Sequence, residues 1–379
     1  MKSNYNQLGQ YIEMVSRTNS DLKYGIEDVR GCSNTKQMMQ TRANLIGRTY
    51  EKFIVLRPQE FVFNRRTTRN GEKIGMAYNN TDREYIFTND YVAFRVKQEY
   101  LDKLLPDYLY LFFCRDEFDR YARYKSTGSA TEFFNWEDMC AVPFEIPPMD
   151  FQQLVVNAYK VLNKRIETKQ KINDNLINTT DTIFFKVFLE NKPTATISFT
   201  DIVQLMGGGT PKTDEDSFWN GNILFFTPKD ISRSPFCIST EKHLTNEGLN
   251  NCSSRLYPPY TTFVTCRGTV GNLALAGVPM AMNQSCYALK GKNDFPALFV
   301  FSFTRYVIAT MKKKASGAVF SALVTRDFEM EKVFEPNFED AILFEKRVEP
   351  LFAQILANTN EIQQLLDLQN ALLTQLSSR

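Results

Sequence analysis

Displaced against itself by about 189 residues, the chain lays Gly128 on Gly317, Asp138 on Asp327 and Pro147 on Pro336. Identity is sparse at this offset, yet the order of features around it is the same twice, which constrains the fold to one module, doubled. The first half reads FIVLRPQEFVFN (Phe53 to Asn64), IGMA (Ile74 to Ala77) and YIFTNDYVAFRV (Tyr85 to Val96). The second reads SRLYPPYTTFVTCRG (Ser254 to Gly268), VGNLALAG (Val270 to Gly277) and MAMNQSCYAL (Met280 to Leu289). Each predicts a β-rich block built from alternating apolar and polar residues. A helix-like segment follows in both halves, Pro106 to Tyr124 and Phe295 to Met311. Next comes a cationic run centred on Gly and Ser, YKSTGSATEFFNWEDM (from Tyr124) or MKKKASGAVFSALVTRDF (from Met311), then a proline and a long helical stretch.

Those long stretches carry seven-residue periodicity. Between Phe151 and Phe185, Val155, Leu162, Leu176 and Ile183 share a heptad position that Lys169 interrupts. Between Asp340 and Leu376, Val348, Ile355, Ile362 and Leu376 share one position broken by Gln369, and Phe352, Leu366 and Leu373 share another broken by Thr359. These are coiled-coil seams whose polar interruptions cost stability and fix register or partner. A single stripe of this kind is explained by a helix packing on its own domain. Two stripes, placed alike and each a rod about 50 Å long at 1.5 Å per residue, point instead to helices that pair with each other. The fold expected is α/β (α+β): two β-rich domains, residues 1–148 and 193–336, with two long antiparallel helices, a central spacer at 149–192 and a C-terminal one at 337–379, in a pseudo-twofold internal repeat.

Composition removes most catalytic chemistry. His243 is the single histidine, and this scarcity argues against Ser/His/Asp, Cys/His and His-metal sites. The seven cysteines (Cys32, Cys114, Cys140, Cys237, Cys252, Cys266 and Cys286) are odd in number and contain no Cys-x-x-Cys pair, which fits reduced thiols in a cytoplasmic protein and argues against zinc. No signal-like segment or apolar run of transmembrane length is present, so membrane insertion and secretion are not expected. A net charge of +2 does not announce a nucleic-acid binder, so the placement of basic residues must carry any such reading.

The enzyme-like motifs fail on inspection. MGGGTPK (Met206 to Lys212) lacks the Gly-Lys-Ser/Thr of a phosphate loop, and Pro211, Asp214 and Asp216 are turn residues. LYPPY (Leu256 to Tyr260) resembles the Asn-Pro-Pro-Tyr loop of amino-methyltransferases, but Tyr257 stands where a polar side chain must bind the amine, and no glycine-rich cofactor loop precedes it. Binding chemistry remains. Arg65, Arg66, Arg69 and Lys73 crowd a turn between two β runs, and TCRGTVG puts Arg267 and Thr269 at the equivalent place. Arginine on a loop can donate two hydrogen bonds to guanine O6 and N7. Lys125, Ser126, Thr127 and Ser129 in one copy, and Lys312, Lys313, Lys314 and Ser316 in the other, supply cations and hydroxyls suited to a phosphate backbone. Recurrence beside a basic β block in both halves favours DNA over a merely solvated loop.

At these residues the chain resembles the specificity subunits of type I restriction-modification enzymes. GGGTPKTDEDSFWNGNILFFTPKDIS, RLYPPYTTFVTCRGTVGNLALAGVPMAMNQSCYAL and ASGAVFSAL are similar, in order, to the family's Gly-Thr-Pro, Trp-x-Gly-x-Ile, Thr-Pro-x-Asp-Ile, Arg-x-Thr-Ile-Gly-Asn and Asn-Gln runs. The first half resembles a different class of target-recognition domain in VLRPQEFVFN, IGMA and DYVAFRV. The family's Ile-Pro-Trp is Ile223-Leu224-Phe225 here, and its Pro-Leu-x-x-Gln is replaced within EPNFEDAILFEKR. The resemblance implies a non-catalytic subunit with two target-recognition domains, each reading half of a split DNA site in the major groove. It implies two helices that set the spacing, partner methyltransferase (M) and restriction (R) subunits, and no cofactor in this chain, S-adenosylmethionine and ATP belonging to the partners. Arg65, Arg66, Arg69, Lys73, Arg267, Thr269, Asn283 and Gln284 would lie near DNA, the Gly/Ser runs beside phosphates, with Lys212 and Lys229 among the candidate contacts. A helical protein-interaction scaffold that binds no DNA is the second reading.

Overall fold

The computed structural model describes residues 6–41, 45, 47–66, 73–127, 132–190, 195–314 and 322–376. By its internal contacts the chain forms two units, one of Met1–Lys164 with Leu366–Arg379 and one of Arg165–Leu365. In the first unit the strands are β1 (Ile12–Val15), β2 (Arg30–Cys32), β3 (Met38–Gln40), β4 (Ile54–Leu56), β5 (Phe61–Asn64), β6 (Met76–Tyr78), β7 (Tyr85–Phe87) and β8 (Tyr91–Val96). They are followed by helices α1 (Pro106–Phe113), α2 (Asp116–Lys125), α3 (Trp136–Cys140) and α4 (Met149–Phe188), the last continuing into the second unit. The second unit adds β9 (Thr196–Ser198), α5 (Phe199–Ile202), β10 (Val203–Gly207), β11 (Trp219–Phe226), β12 (Phe236–Cys237), β13 (Lys242–Leu244), α6 (Asn246–Asn250), β14 (Thr262–Thr265), β15 (Leu273–Ala276), β16 (Met280–Met282) and β17 (Cys286–Gly291). It closes with α7 (Ala297–Lys314), α8 (Thr325–Met330), β18 (Lys332–Phe334) and α9 (Phe338–Gln375), whose end from Leu366 onward belongs to the first unit.

The doubled module is visible in the hydrogen-bonding order. The first unit's main sheet runs β1-β8-β5-β6, the second's β10-β17-β14-β15-β12, and the four shared strands are antiparallel throughout. Strand faces correspond as well. Phe61, Phe63, Met76 and Phe94 pack against α1 and α2, as Val264, Leu275 and Leu289 pack against α7. On the opposite face Val62, Ala77 and Ala93 match Phe263, Ala274 and Ala288. These central strands are therefore buried on both sides, and FVF, MAY and TFVT are buried at every position rather than on alternate residues as a one-sided strand would be. The helix-like segment 106–124 is two helices, because Arg115 is extended (ψ 144°) between them; its counterpart α7 is unbroken over 18 residues.

The long helices pair antiparallel within each unit. In the first, Val155 and Val156 share a core with Leu376, and Gln369 Nε2 donates to Asn163 Oδ1 at 2.6 Å. In the second, Arg165 reaches Glu361, Asn358 Nδ2 donates to Asn173 Oδ1 at 2.8 Å, and Phe184 and Phe188 meet Phe344 edge to face. The polar interruptions of the heptads find polar partners outside the stripes: Lys169 Nζ contacts both Asn358 (3.0 Å) and Glu361 (2.8 Å), Gln369 bonds Asn163, and the Thr359 and Ser234 hydroxyls share a hydrogen bond at 2.6 Å. The helices also join the domain cores, so packing on the domain and packing on the partner helix both occur. One stripe position departs from expectation: Leu366 is 40% exposed while Leu365 is 6% exposed. The buried line along this helix runs through Ala341, Phe344, Val348, Phe352 and Ile355 and, further on, Leu365 and Gln369.

Candidate nucleic-acid interface

In the first unit the arginine loop leaves the sheet at the end of β5. Asn64 Oδ1 accepts from the Arg66 N–H at 3.0 Å, an Asx turn that lifts Arg65 and Arg66 out of the ladder into exposed positions. The carbonyl of Arg65 accepts from Phe134 N–H at 2.9 Å, and Phe133 exchanges hydrogen bonds with Thr127 at 3.2 and 2.9 Å. The short 133–134 segment therefore bridges the arginine loop to the end of α2, where Lys125 sits. Phe134, fully buried between Phe63 and Phe118, anchors the bridge. The Ser126 hydroxyl is spent on the Ala122 carbonyl (2.7 Å), Lys73 pairs with Asp116 (3.1 Å) and Arg66 lies 3.8 Å from Asp90. Such exposed pairs are weak and exchange readily for a phosphate. Arg69 and Ser129 lie outside the described residues.

The second unit builds the same arrangement with a shorter loop. Cys266 N–H donates to Ser285 O at 2.8 Å, and Cys266 O accepts from Leu323 N–H at 3.0 Å, the counterpart of the bond from Phe134 to Arg65. Gly268 and Gly271 both adopt the left-handed region (φ 77° and 73°), and the Thr265 hydroxyl caps the Thr269 carbonyl, giving a tight reversal with Arg267 and Thr269 exposed. Beside it, Asn283 Oδ1 accepts from Ser285 N–H at 3.0 Å, and exposed Gln284 is bonded by Thr210. Gly208 lets the glycine-rich strand end press on this turn, since a Cβ there would lie 2.4 Å from Asn283 O. Lys212 is exposed, its carbonyl accepting from the Trp219 indole at 3.0 Å. Lys229 is exposed, 4.0 Å from Glu241. At the end of α7, Lys312 donates to Gly271 O at 3.1 Å, Lys314 pairs with Glu331, and Lys313 is exposed. Ser316 lies outside the described residues.

Register makes Arg66 and Arg267 equivalent: each is the second residue after a strand that pairs with matching neighbours on both sides. The segments joined here are distant in sequence. Phe134 and Leu323 were not singled out from sequence, though the offset of about 189 residues lays one apolar residue on the other. Lys36 and Asp119, described below, carry no local signal at all. Nucleophilic chemistry is disfavoured beside the arginine, because burial pushes the Cys266 thiol up to about 12 and keeps it neutral. Among the described residues no group of three or more His, Cys, Asp and Glu could hold a metal ion, and no helix is long and apolar enough to cross a membrane.

A family model described as the type I restriction modification DNA specificity domain matches residues 33–178 and again 191–366. The chain is 28% identical over 127 residues to the MjaIX type I restriction enzyme specificity subunit of Methanocaldococcus jannaschii, a match covering 32% of this chain and 29% of that protein. It is 25% identical over 186 residues to the HindI specificity subunit of Haemophilus influenzae, covering 47% of this chain and 40% of that protein. The alignments thus span well under half the length of these relatives. In fold, the chain is similar to the crystal structure of a type I restriction-modification S subunit from M. genitalium, with a TM-score of 0.52 at 14% identity, covering 98% of this chain and 96% of that one.

Proposed function

The chain belongs to the type I restriction-modification DNA specificity family, and from that premise we propose that it reads a bipartite DNA site, one half through each β-rich unit, and docks methyltransferase and restriction subunits. The observation that carries this reading is the repeated placement of an exposed arginine, Arg66 or Arg267, beside the cationic end of a helix by an equivalent backbone bridge. Loop arginines suit base edges in the major groove, and Lys125, Lys313 and Lys314 suit phosphates. The paired helices α4 and α9 supply the spacer, and residues 1–148 and 193–336 the target-recognition domains. The chain itself is non-catalytic in this reading. The partner subunits use S-adenosylmethionine and ATP, and the complex works in the cytoplasm.

A mobility-shift series on the full chain with its methyltransferase subunit tests the function. Binding should discriminate among duplex sequences and fall linearly in log K against log salt. Equal binding to all sequences would refute sequence reading, and failure to bind DNA even at low salt would favour a protein-interaction scaffold.

A further inference from the structure

Ile74 and Gly271 close the two arginine loops at the same structural position. Val62 pairs with Ala77 as Phe263 pairs with Ala274, and Asn64 N–H donates to Gly75 O at 2.8 Å as Thr265 N–H donates to Asn272 O at 2.9 Å. One residue earlier, each loop ends on a peptide group held by charged side chains. In the first unit Lys36 Nζ donates to Ile74 O at 2.8 Å and Ile74 N–H donates to Asp119 Oδ1 at 3.0 Å, while Lys36 and Asp119 form an ion pair with side chains 3% and 7% exposed. In the second, Lys312 Nζ donates to Gly271 O at 3.1 Å. The fit there is close: a Cβ on Gly271 would lie 2.9 Å from Lys312 Cε and 3.0 Å from Ile308 Cγ2. The offset of about 189 residues lays Asp119 on Ile308, so the same helix position meets the loop in both units.

The lysines come from different places. Lys36 sits in the turn between β2 and β3 with φ 61°, a left-handed conformation unfavourable for a residue with a side chain, and Lys312 sits on α7. Two unrelated parts of the chain converge on one peptide group. A buried ion pair is a poor source of stability, because desolvation offsets the attraction; what it supplies is a fixed geometry. An arginine that must place two donors on one base edge needs a loop held to fractions of an ångström.

We propose that Lys36 with Asp119, and Lys312, are positioning residues: they clamp the closing residue of each arginine loop to the neighbouring helix and so set where Arg66 and Arg267 meet the bases. The proposal rests on the DNA-reading function given above. It separates Lys312 from Lys313, which acts on phosphate alone.

The test selects randomised duplexes on the full chain bound to its methyltransferase subunit and sequences the retained pool. Wild type should select a two-part motif. Lys312→Met should relax one half only, discrimination there falling about tenfold or more, with an unchanged salt slope and recovery in Lys312→Arg. The double variant Lys36→Met/Asp119→Leu, which leaves no orphaned charge, should relax the other half. A Lys312→Met protein that keeps both halves of the motif while its salt slope drops by about one would make Lys312 a phosphate contact and overturn the clamp. A wild-type protein that selects no motif would overturn the DNA-reading function itself, and the clamp with it.

Discussion

The backbone N–H of Leu323 donates to the carbonyl of Cys266 at 3.0 Å, tying the segment after the Lys312–Lys314 run to the residue that precedes Arg267. Residues almost sixty positions apart in sequence are thereby joined, bringing Arg267 beside the cationic end of α7.

Arg267→Ala should therefore cost about 1–3 kcal/mol in binding the preferred sequence and relax one base position. Lys313→Ala should weaken binding to all sequences alike and lower the salt slope by about one. Competition titrations at several salt concentrations separate the two outcomes.

Within the helix pair, Asn358 is 1% exposed and donates to Asn173 at 2.8 Å. Asn358→Ala leaves the Asn173 carbonyl oxygen unsatisfied in the seam and should destabilise the protein by about 1–3 kcal/mol in urea unfolding. Replacing both by leucine should recover most of that loss while loosening the register the polar pair specifies.

Glu345 accepts from the Leu298 and Phe299 N–H groups at 3.2 and 2.9 Å, at the start of α7. Burial raises its pKa above the ordinary 4.5 despite those two bonds. A carboxyl with a raised folded-state pKa binds more protons folded than unfolded, so its contribution is greatest below the unfolded value and is lost as pH rises through the folded one. Compared by urea titration from pH 4 to 7, wild type should lose stability relative to Glu345→Gln as pH increases; a constant difference would refute the assignment.

Two neighbouring glycines should respond oppositely. A Cβ on Gly208 would lie 2.4 and 2.5 Å from the main-chain oxygens of Asn283 and Met282, whereas one on Gly207 meets nothing within 4 Å. Gly208→Ala should cost about 1–3 kcal/mol through overpacking, and Gly207→Ala should stay within about 0.5 kcal/mol of wild type, both read from thermal melting.

Much of this architecture is local and was legible in the sequence. The doubled order of strands and helices, the long helices now bounded at Met149–Phe188 and Phe338–Gln375, and the turn that exposes Arg267 all follow from periodicity, proline placement and glycines whose φ values no other residue adopts cheaply. Burial of the central strands on both faces was not, because it depends on a second layer brought in from elsewhere in the chain. The same holds for the exposure of Leu366 beside buried Leu365, which a seven-residue repeat does not foretell. It holds most clearly for Lys36 and Asp119, 83 residues apart, and for Lys312 and Gly271, 41 apart. A hydrogen bond between distant residues is settled by where the fold delivers them, and neither end carries a local pattern that names its partner.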